Sequence, residues 1–413
     1  MNTKNSIYIP GSKSISHRLL ICASLSNGKS KIKNLLKSKD VFYTISGLKK
    51  MGAEIKEKNK TFEVQGFNGK PQAYLKSIYL GNSGTSVRFL AGLAAIGNSK
   101  YTFTGNKRMK KRPIKELIKA FNMAGVYGKF QQEKGFLPVT IQGTGNKISR
   151  ISIDCSSTSQ YLSSILMISV FLNGVLISLP QPSVSAPYVE LTIDIMKKFN
   201  VIAEKKNDCK YYVPSEQKYL AGEFTVEPDI SNASYFWAAG AITGKKIRVE
   251  NISKNSFQGD IRFLDILTNM GCLVEYDKKG ISVVGKSLRA VDVDMSDIPD
   301  VVPTLAIIAA FAKGETFIRN IAHVREKECN RIKVIISELK KMGIKANQGK
   351  DWLSIKGGKP VGAFINTFND HRIAMAFSMP SLIIPKMEIE NPDCVIKSFP
   401  AFWQTFDKLR KLN

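Results

Sequence analysis

Polar clusters and apolar runs alternate along the 413 residues in a pattern that recurs six times. In each copy a short polar turn opens into a run of small apolar residues at helical spacing. The turns are Gly11-Ser12-Lys13-Ser14, Gly81-Asn82-Ser83-Gly84-Thr85, Ser156-Ser157-Thr158-Ser159-Gln160, Asp229-Ile230-Ser231-Asn232, Asp297-Ile298-Pro299-Asp300 and Asn369-Asp370-His371-Arg372. Each reads as a helix N-terminus, and a helix start attracts anions through its unpaired N–H groups and the positive end of its dipole. Six converging starts would make an anion pocket. Downstream of each opening a second helix is predicted to end in a Leu-x-x-Met-Gly-like signature: Leu48 to Gly52, Phe121 to Gly125, Met196 to Asn200, Leu267 to Gly271 and Leu339 to Gly343. The closing Gly or Asn predicts a left-handed C-cap.

These copies lie 73, 75, 71 and 72 residues apart, longer than solenoid repeats, so each unit reads as a small α/β subdomain. Alternating stretches such as Thr61 to Val64, Lys246 to Val249 and Gly280 to Val284 predict strands between the helices. The unit is therefore strand, helix, strand, helix, strands. The sixth copy, from Ser398 to Leu412, runs out of chain before its glycine, and Ser6 to Pro10 is expected to supply its missing final strand. Six units exceed one comfortable core, and three per domain is the symmetric solution.

Tyr161 to Leu179 carries no charge over 19 residues, enough to cross a bilayer. The Asn173-Gly174 turn and four serines interrupt it, so it reads as a buried helix followed by a strand. The N-terminus has no apolar signal core, and Cys22, Cys155, Cys209, Cys272, Cys329 and Cys394 show no metal spacing; a cytoplasmic protein with reduced thiols is expected. The formal net charge of +27 invites a nucleic-acid reading. Lys31, Lys33, Lys37 and Lys39 instead fit a solvated face, and no RNA motif, zinc finger or arginine-rich tail appears. Gly28-Lys29-Ser30 lacks the upstream glycine of a P-loop.

More informative is where the cations fall. Lys13 and Arg18 belong to the first opening, Arg88 to the second, and Lys107 to Arg112 form a basic loop before Pro113 starts a helix. Lys327 and Arg331 are expected one helical turn apart on one face. His371-Arg372 and Lys397 complete the set.

Pro10 to Arg18, Gly81 to Thr85, Arg108 to Ile114, Gln258-Gly259-Asp260, Arg325 to Arg331 and Asn369 to Arg372 together resemble the 5-enolpyruvylshikimate-3-phosphate synthases over essentially the whole chain. The resemblance implies an α/β fold of two domains, each of three βαβαββ repeats arranged as an inside-out barrel. It places residues 13–227 in one domain and 1–12 with 228–413 in the other, with hinges near 11–13 and 226–229. It implies transfer of the enolpyruvyl group of phosphoenolpyruvate to the 5-hydroxyl of shikimate 3-phosphate, with loss of phosphate. It further implies that neither metal nor organic cofactor is required, and that the partners are small molecules only, on a monomer.

Carried across residue by residue, Ser14 and Arg18 would hold the shikimate carboxylate, and Thr158, Ser159, Ser185 and Lys327 its phosphate, with Gln160 against the ring. Lys13, Gly84, Gln160, Arg112, Arg331, Arg372 and Lys397 would surround phosphoenolpyruvate, arginine suiting bidentate pairing with its oxygens. Asp300 is the expected general base for the hydroxyl, with Lys13 sharing the role, and Glu328 the group at the methylene carbon. On local sequence alone Asp300 also reads as a helix N-cap, and Glu328 as an i,i+3 partner of Arg331. Thr158 stands where the family commonly has Ser, His323 where Asn or Glu is frequent, and Phe89 where Pro or Leu is frequent, a change expected to bear on the helix carrying Gly84. The nearest rival is transfer to UDP-N-acetylglucosamine by the sister family with a reactive loop cysteine. The loop from Gly105 to Pro113 has none, and Arg18 would have no purpose there. A basic nucleic-acid-binding protein is the alternative from another class.

Overall fold

The computed structural model describes residues 6–143, 145 and 147–411; Leu412, the end of the sixth copy, lies outside them. The chain forms two compact units, one of Gly11–Val226 and one of Met1–Pro10 with Glu227–Asn413, here the first and second units. Each has its own apolar core.

Among the described residues the repeat appears as five four-stranded sheets and one of two strands. In each four-stranded sheet one parallel pair is followed by antiparallel neighbours, as in Ile78–Tyr79, Lys100–Thr104, Val139–Gln142 and Tyr127–Phe130. Each repeat has an inner helix most of whose residues are buried, the few polar ones included. These are Lys13–Leu25, Gly84–Ile96, Gln160–Ile168, Ile230–Thr243, Val302–Ala309 and His371–Ser378. All eight residues of Val302–Ala309 are buried. Small side chains let inner helices approach closely: a Cβ on Gly92 would stand 2.4 Å from Ser164 Oγ, and that hydroxyl donates to the Arg88 carbonyl at 2.7 Å. The outer helices, such as Lys39–Lys50 and Arg331–Lys341, bury one face only.

The repeated signature closes its helices in one way. Gly52, Gly125, Asn200, Gly271 and Gly343 all have positive φ, between 64° and 101°. In every case the next N–H returns to a carbonyl five residues back, as in Ala53 to Leu48 and Ile344 to Leu339. Gln160–Ile168 continues through a 3₁₀ turn to Asn173 and Gly174, both left-handed, and then into the strand Val175–Ser178. No described helix is long and apolar enough to cross a membrane.

Two expectations need correction. Ser6–Tyr8 does not complete the sixth repeat. It pairs in parallel with Ile247–Glu250 of the fourth, while the sixth keeps only Phe364–Ile365 beside Glu388–Ile389. The fourth repeat needs this strand because its own leading strand, Glu223–Thr225, stays in the first unit and pairs with Lys29–Lys33. Nor do Lys327 and Arg331 share a helix. Asn330 caps the helix Arg331–Lys341 by accepting from the Lys333 N–H at 3.2 Å, so Lys327 precedes it in extended backbone.

Candidate active site

In the first unit the first two inner helices carry cations near their openings, Lys13 and Arg18 on one and Arg88 on the other. Ser12 caps Lys13–Leu25, and Lys13 Nζ lies 3.7 Å from Asp40. Arg18, one turn further, is buried. Its Nε donates to Thr192 Oγ1 at 2.7 Å, Nη2 to the Tyr188 carbonyl at 3.0 Å and Ser163 Oγ at 3.3 Å, and Nη1 to the Ser14 carbonyl at 3.1 Å. Burial pulls its pKa down to about 10. Arg88 donates to Gln160 Oε1 at 3.1 Å and to the Pro113 carbonyl at 2.8 Å, and Gln160 in turn donates to Thr85 Oγ1 at 3.2 Å.

Arg112 reaches the Asn82 carbonyl at 3.2 Å. Its guanidinium and that of Arg88 crowd Gly84: a Cβ there would lie 2.4 Å from Arg88 Nη1 and 2.8 Å from Arg112 Nη2. Glycine at this place therefore makes room for two cations at a helix start. Thr158 Oγ1 accepts from the Gln160 N–H at 3.3 Å, Ser159 caps the same helix by backbone alone, and Ser185 is buried with φ of 55°. Phe89 does not interrupt its helix; it is a buried interior residue of Gly84–Ile96.

The second unit gathers acids among its cations. Asp300 sits inside the 3₁₀ turn Pro299–Val301, where Ile298 holds the N-cap position, and accepts from Arg372 Nη2 at 2.6 Å and Arg331 Nη1 at 3.1 Å. The N-cap reading of Asp300 is not what the fold uses. Glu328 does pair with Arg331, at 2.9 Å, and Lys397 Nζ lies 3.6 Å from its other oxygen. Asp370 caps His371–Ser378 through the Arg372 N–H at 2.9 Å and takes Arg331 Nε at 2.8 Å and Nη2 at 3.3 Å. Burial alone would lower the Arg331 pKa; Asp370, Glu328 and Asp300 outweigh it and raise it. Arg372 also donates to Tyr235 Oη at 3.3 Å.

Behind this cluster lie two displaced groups. Asp260, from the Gln258-Gly259-Asp260 motif, accepts from Ser231 Oγ, and burial followed by the charge of Asp300 pushes its pKa up to about 7. His323 is buried in the 3₁₀ turn Ala322–Glu326, and burial followed by Lys327 pulls its pKa down to about 3.

Of the residues expected around one ligand, Lys13, Ser14, Gly84, Arg18, Arg112, Thr158, Ser159, Gln160 and Ser185 belong to the first unit, and Asp300, Lys327, Glu328, Arg331, Arg372 and Lys397 to the second. Of the four residues expected around the phosphate, Thr158, Ser159 and Ser185 thus fall in the first unit and Lys327 in the second. Sequence reasoning assigned no role to Asp370, although its motif was in view, and it missed Thr192, Ser163 and Tyr188 around Arg18. Those three carry no local signal, because their partner lies 145 or more residues away.

Comparison with known proteins identifies the family. A model of the EPSP synthase (3-phosphoshikimate 1-carboxyvinyltransferase) family matches residues 2–406. The 3-phosphoshikimate 1-carboxyvinyltransferase of Syntrophobacter fumaroxidans is 40% identical over 411 residues, covering 98% of this chain and 97% of the relative. That of Aliivibrio salmonicida is 39% identical over 416 residues, covering 98% and 96%. A solved EPSP synthase from Acinetobacter baumannii aligns with a TM-score of 0.81 at 27% identity, over 98% of this chain and 95% of that one. The enolpyruvyl transferase NikO from Streptomyces tendae shares the fold, with a TM-score of 0.74 at 16% identity over 98% and 94%. The chain belongs to the EPSP synthase family.

Proposed function

We propose that this protein transfers the enolpyruvyl group of phosphoenolpyruvate to the 5-hydroxyl of shikimate 3-phosphate, and that Asp300 and Glu328 move the protons. The observation that carries the assignment is the second unit's acid–cation cluster: Asp300 between Arg331 and Arg372, and Glu328 between Arg331 and Lys397.

In the proposed sequence Asp300 takes the hydroxyl proton as the oxygen attacks C2, with Lys13 able to share that duty. Glu328 gives a proton to the methylene carbon, forming a tetrahedral ketal, and recovers it as the C2–O bond to phosphate breaks. Arg112, Arg331, Arg372, Lys397 and Lys13 are assigned to phosphoenolpyruvate, where fixed cations stabilise developing negative charge. Arg18 and Ser14 are assigned to the shikimate carboxylate, Thr158, Ser159, Ser185 and Lys327 to its phosphate, and Gln160 to the ring. Fixing both reactants in register contributes further to the rate advantage.

The chain crosses between units at Pro10–Gly11 and Val226–Glu227, and these crossings are proposed as hinges. A monomer in the cytoplasm completes the reading, the first part of which sedimentation would test. The deciding assay is phosphate release from phosphoenolpyruvate with and without shikimate 3-phosphate, and in parallel with UDP-N-acetylglucosamine. Release that depends on shikimate 3-phosphate is expected; release only with the sugar nucleotide would overturn the reading. Asp300→Ala should leave shikimate 3-phosphate binding largely intact while removing most turnover.

A further inference from the structure

Arg18 and Arg331 are both buried arginines, but they are held in opposite ways. Arg331 is met by the carboxylates of Asp370, Asp300 and Glu328. Among the described residues no carboxylate lies within ion-pair distance of Arg18; the oxygens around it, from Ser14, Ser163, Tyr188 and Thr192, are all neutral. A desolvated cation without a counter-ion is costly. One more group faces it. The ring of Phe89, itself 1% exposed, has its centroid 5.2 Å from Arg18 Cζ, within range for attraction between a guanidinium and the negative face of an aromatic ring.

We propose that Phe89 is a positioning residue for substrate binding: its ring holds the Arg18 guanidinium in place and charged, ready for the carboxylate of the shikimate-derived substrate. The inference rests on the reading that Arg18 binds that carboxylate. A ring serves this purpose where an acid would not. An acidic partner would neutralise Arg18 and compete with the substrate carboxylate, whereas a quadrupole stabilises the cation and leaves its N–H donors to oxygen acceptors. Thr192 and Ser163 fix the rim of the guanidinium, so the remaining freedom is motion out of its plane, which the ring limits. Phe89 lies five residues after Gly84 on the same inner helix, which couples the placement of Arg18 to the helix that carries Arg88. The aromatic residue that departs from the pattern expected of the resembled family therefore has a defined physical partner.

The test compares the full-length native enzyme with Phe89→Leu, with fluorinated phenylalanines placed at position 89, and with Arg18→Ala. Phe89→Leu keeps an apolar side chain but removes the π face, and is expected to raise KM for shikimate 3-phosphate about tenfold, with KM for phosphoenolpyruvate and kcat within about twofold of native. Fluorination keeps the ring shape while weakening its negative face, so KM for shikimate 3-phosphate should climb stepwise with each fluorine; a merely space-filling role would give no such series. Calorimetric titration with shikimate 3-phosphate reads the same loss if a variant turns over too slowly. An unchanged fluorine series, or equal rises in both KM values, would overturn the proposal. If Arg18→Ala leaves shikimate 3-phosphate binding intact, the carboxylate assignment itself fails. If Arg18→Ala weakens it and the position 89 variants do not, only the role of Phe89 fails.

Discussion

Asp260 and His323 should make opposite contributions to the pH dependence of stability, and the native protein should hide both. Asp260 is 3% exposed and its pKa is pushed up to about 7 by burial and by Asp300. Asp229 adds to this, while Ser231 and Arg372 oppose it. The folded state thus keeps a proton that an unfolded aspartate releases near 4. Stability from this group is complete below that value and is lost as pH rises towards 7, at about 1.4 kcal/mol per pH unit. His323 is 6% exposed, with its pKa pulled down to about 3 by burial, then Lys327, with Arg331 acting in the same sense and Asp300 and Asp294 against it. Here the unfolded chain takes a proton near 6.5 that the folded state refuses. Stability is complete above that value and is lost as pH falls, with the same slope.

Between about pH 4 and 6.5 the two slopes cancel. Asp260→Asn removes one of them. Relative to native, it should lose on the order of 3 kcal/mol between pH 6.5 and 4.5, since only the His323 term is left. His323→Gln should gain a similar amount over the same interval, and the double variant should return to the native profile. Urea unfolding at fixed pH values reads this directly, as the difference between each variant and native, so that shared carboxylate titrations drop out. If both single variants tilt the same way, or neither tilts, the burial account of these two groups is wrong.

Three further outcomes follow from the same contacts. Gly84→Ala forces the guanidinium ends of Arg88 and Arg112 aside from a Cβ only 2.4 and 2.8 Å away, and these are flexible groups. The fold should survive, with KM for phosphoenolpyruvate raised several-fold and KM for shikimate 3-phosphate little changed in steady-state kinetics. Asp370→Ala removes a helix cap and leaves Arg331 short of its bidentate partner, and should cost about 3–5 kcal/mol by urea unfolding. Asp370→Asn, which can still cap, should recover about 1 kcal/mol of that loss. Lys397→Met removes the ammonium 3.6 Å from Glu328 and should depress turnover more than shikimate 3-phosphate binding, as read by kinetics beside calorimetric titration.

Local chemistry was legible in the sequence wherever one residue sets the outcome. The five closing Gly or Asn residues foretell left-handed caps because few other residues adopt that conformation cheaply. The polar openings foretell helix starts because Ser12, Asp229 and Asp370 each accept a backbone N–H from within the first turn. What the sequence hid is pairing at a distance. The period near 70 residues says that a leading strand exists in each repeat, but not which sheet accepts it, because hydrophobic alternation looks the same in either partner. Ser6–Tyr8 and Glu223–Thr225 are each followed by a chain crossing, and each pairs in the unit it is about to leave.

That exchange has a physical consequence for the site. The helices Lys13–Leu25 and Ile230–Thr243 begin directly after the crossings, so the segments that lead into them are held within each unit. In the first unit Asn34 holds the arrangement: its side chain donates to the Val226 carbonyl at 2.8 Å, and its own carbonyl lies 2.1 Å from where a Cβ on Gly11 would stand. In the second unit the Asp229 N–H donates to the Pro10 carbonyl at 3.0 Å. Each unit therefore grips both crossing segments side by side. Any side chain at position 11 would push against backbone, which cannot yield as a flexible side chain does. Gly11 is for that reason a requirement of the fold just before Lys13, and its place in a motif proposed to meet anions follows from the topology as much as from the chemistry.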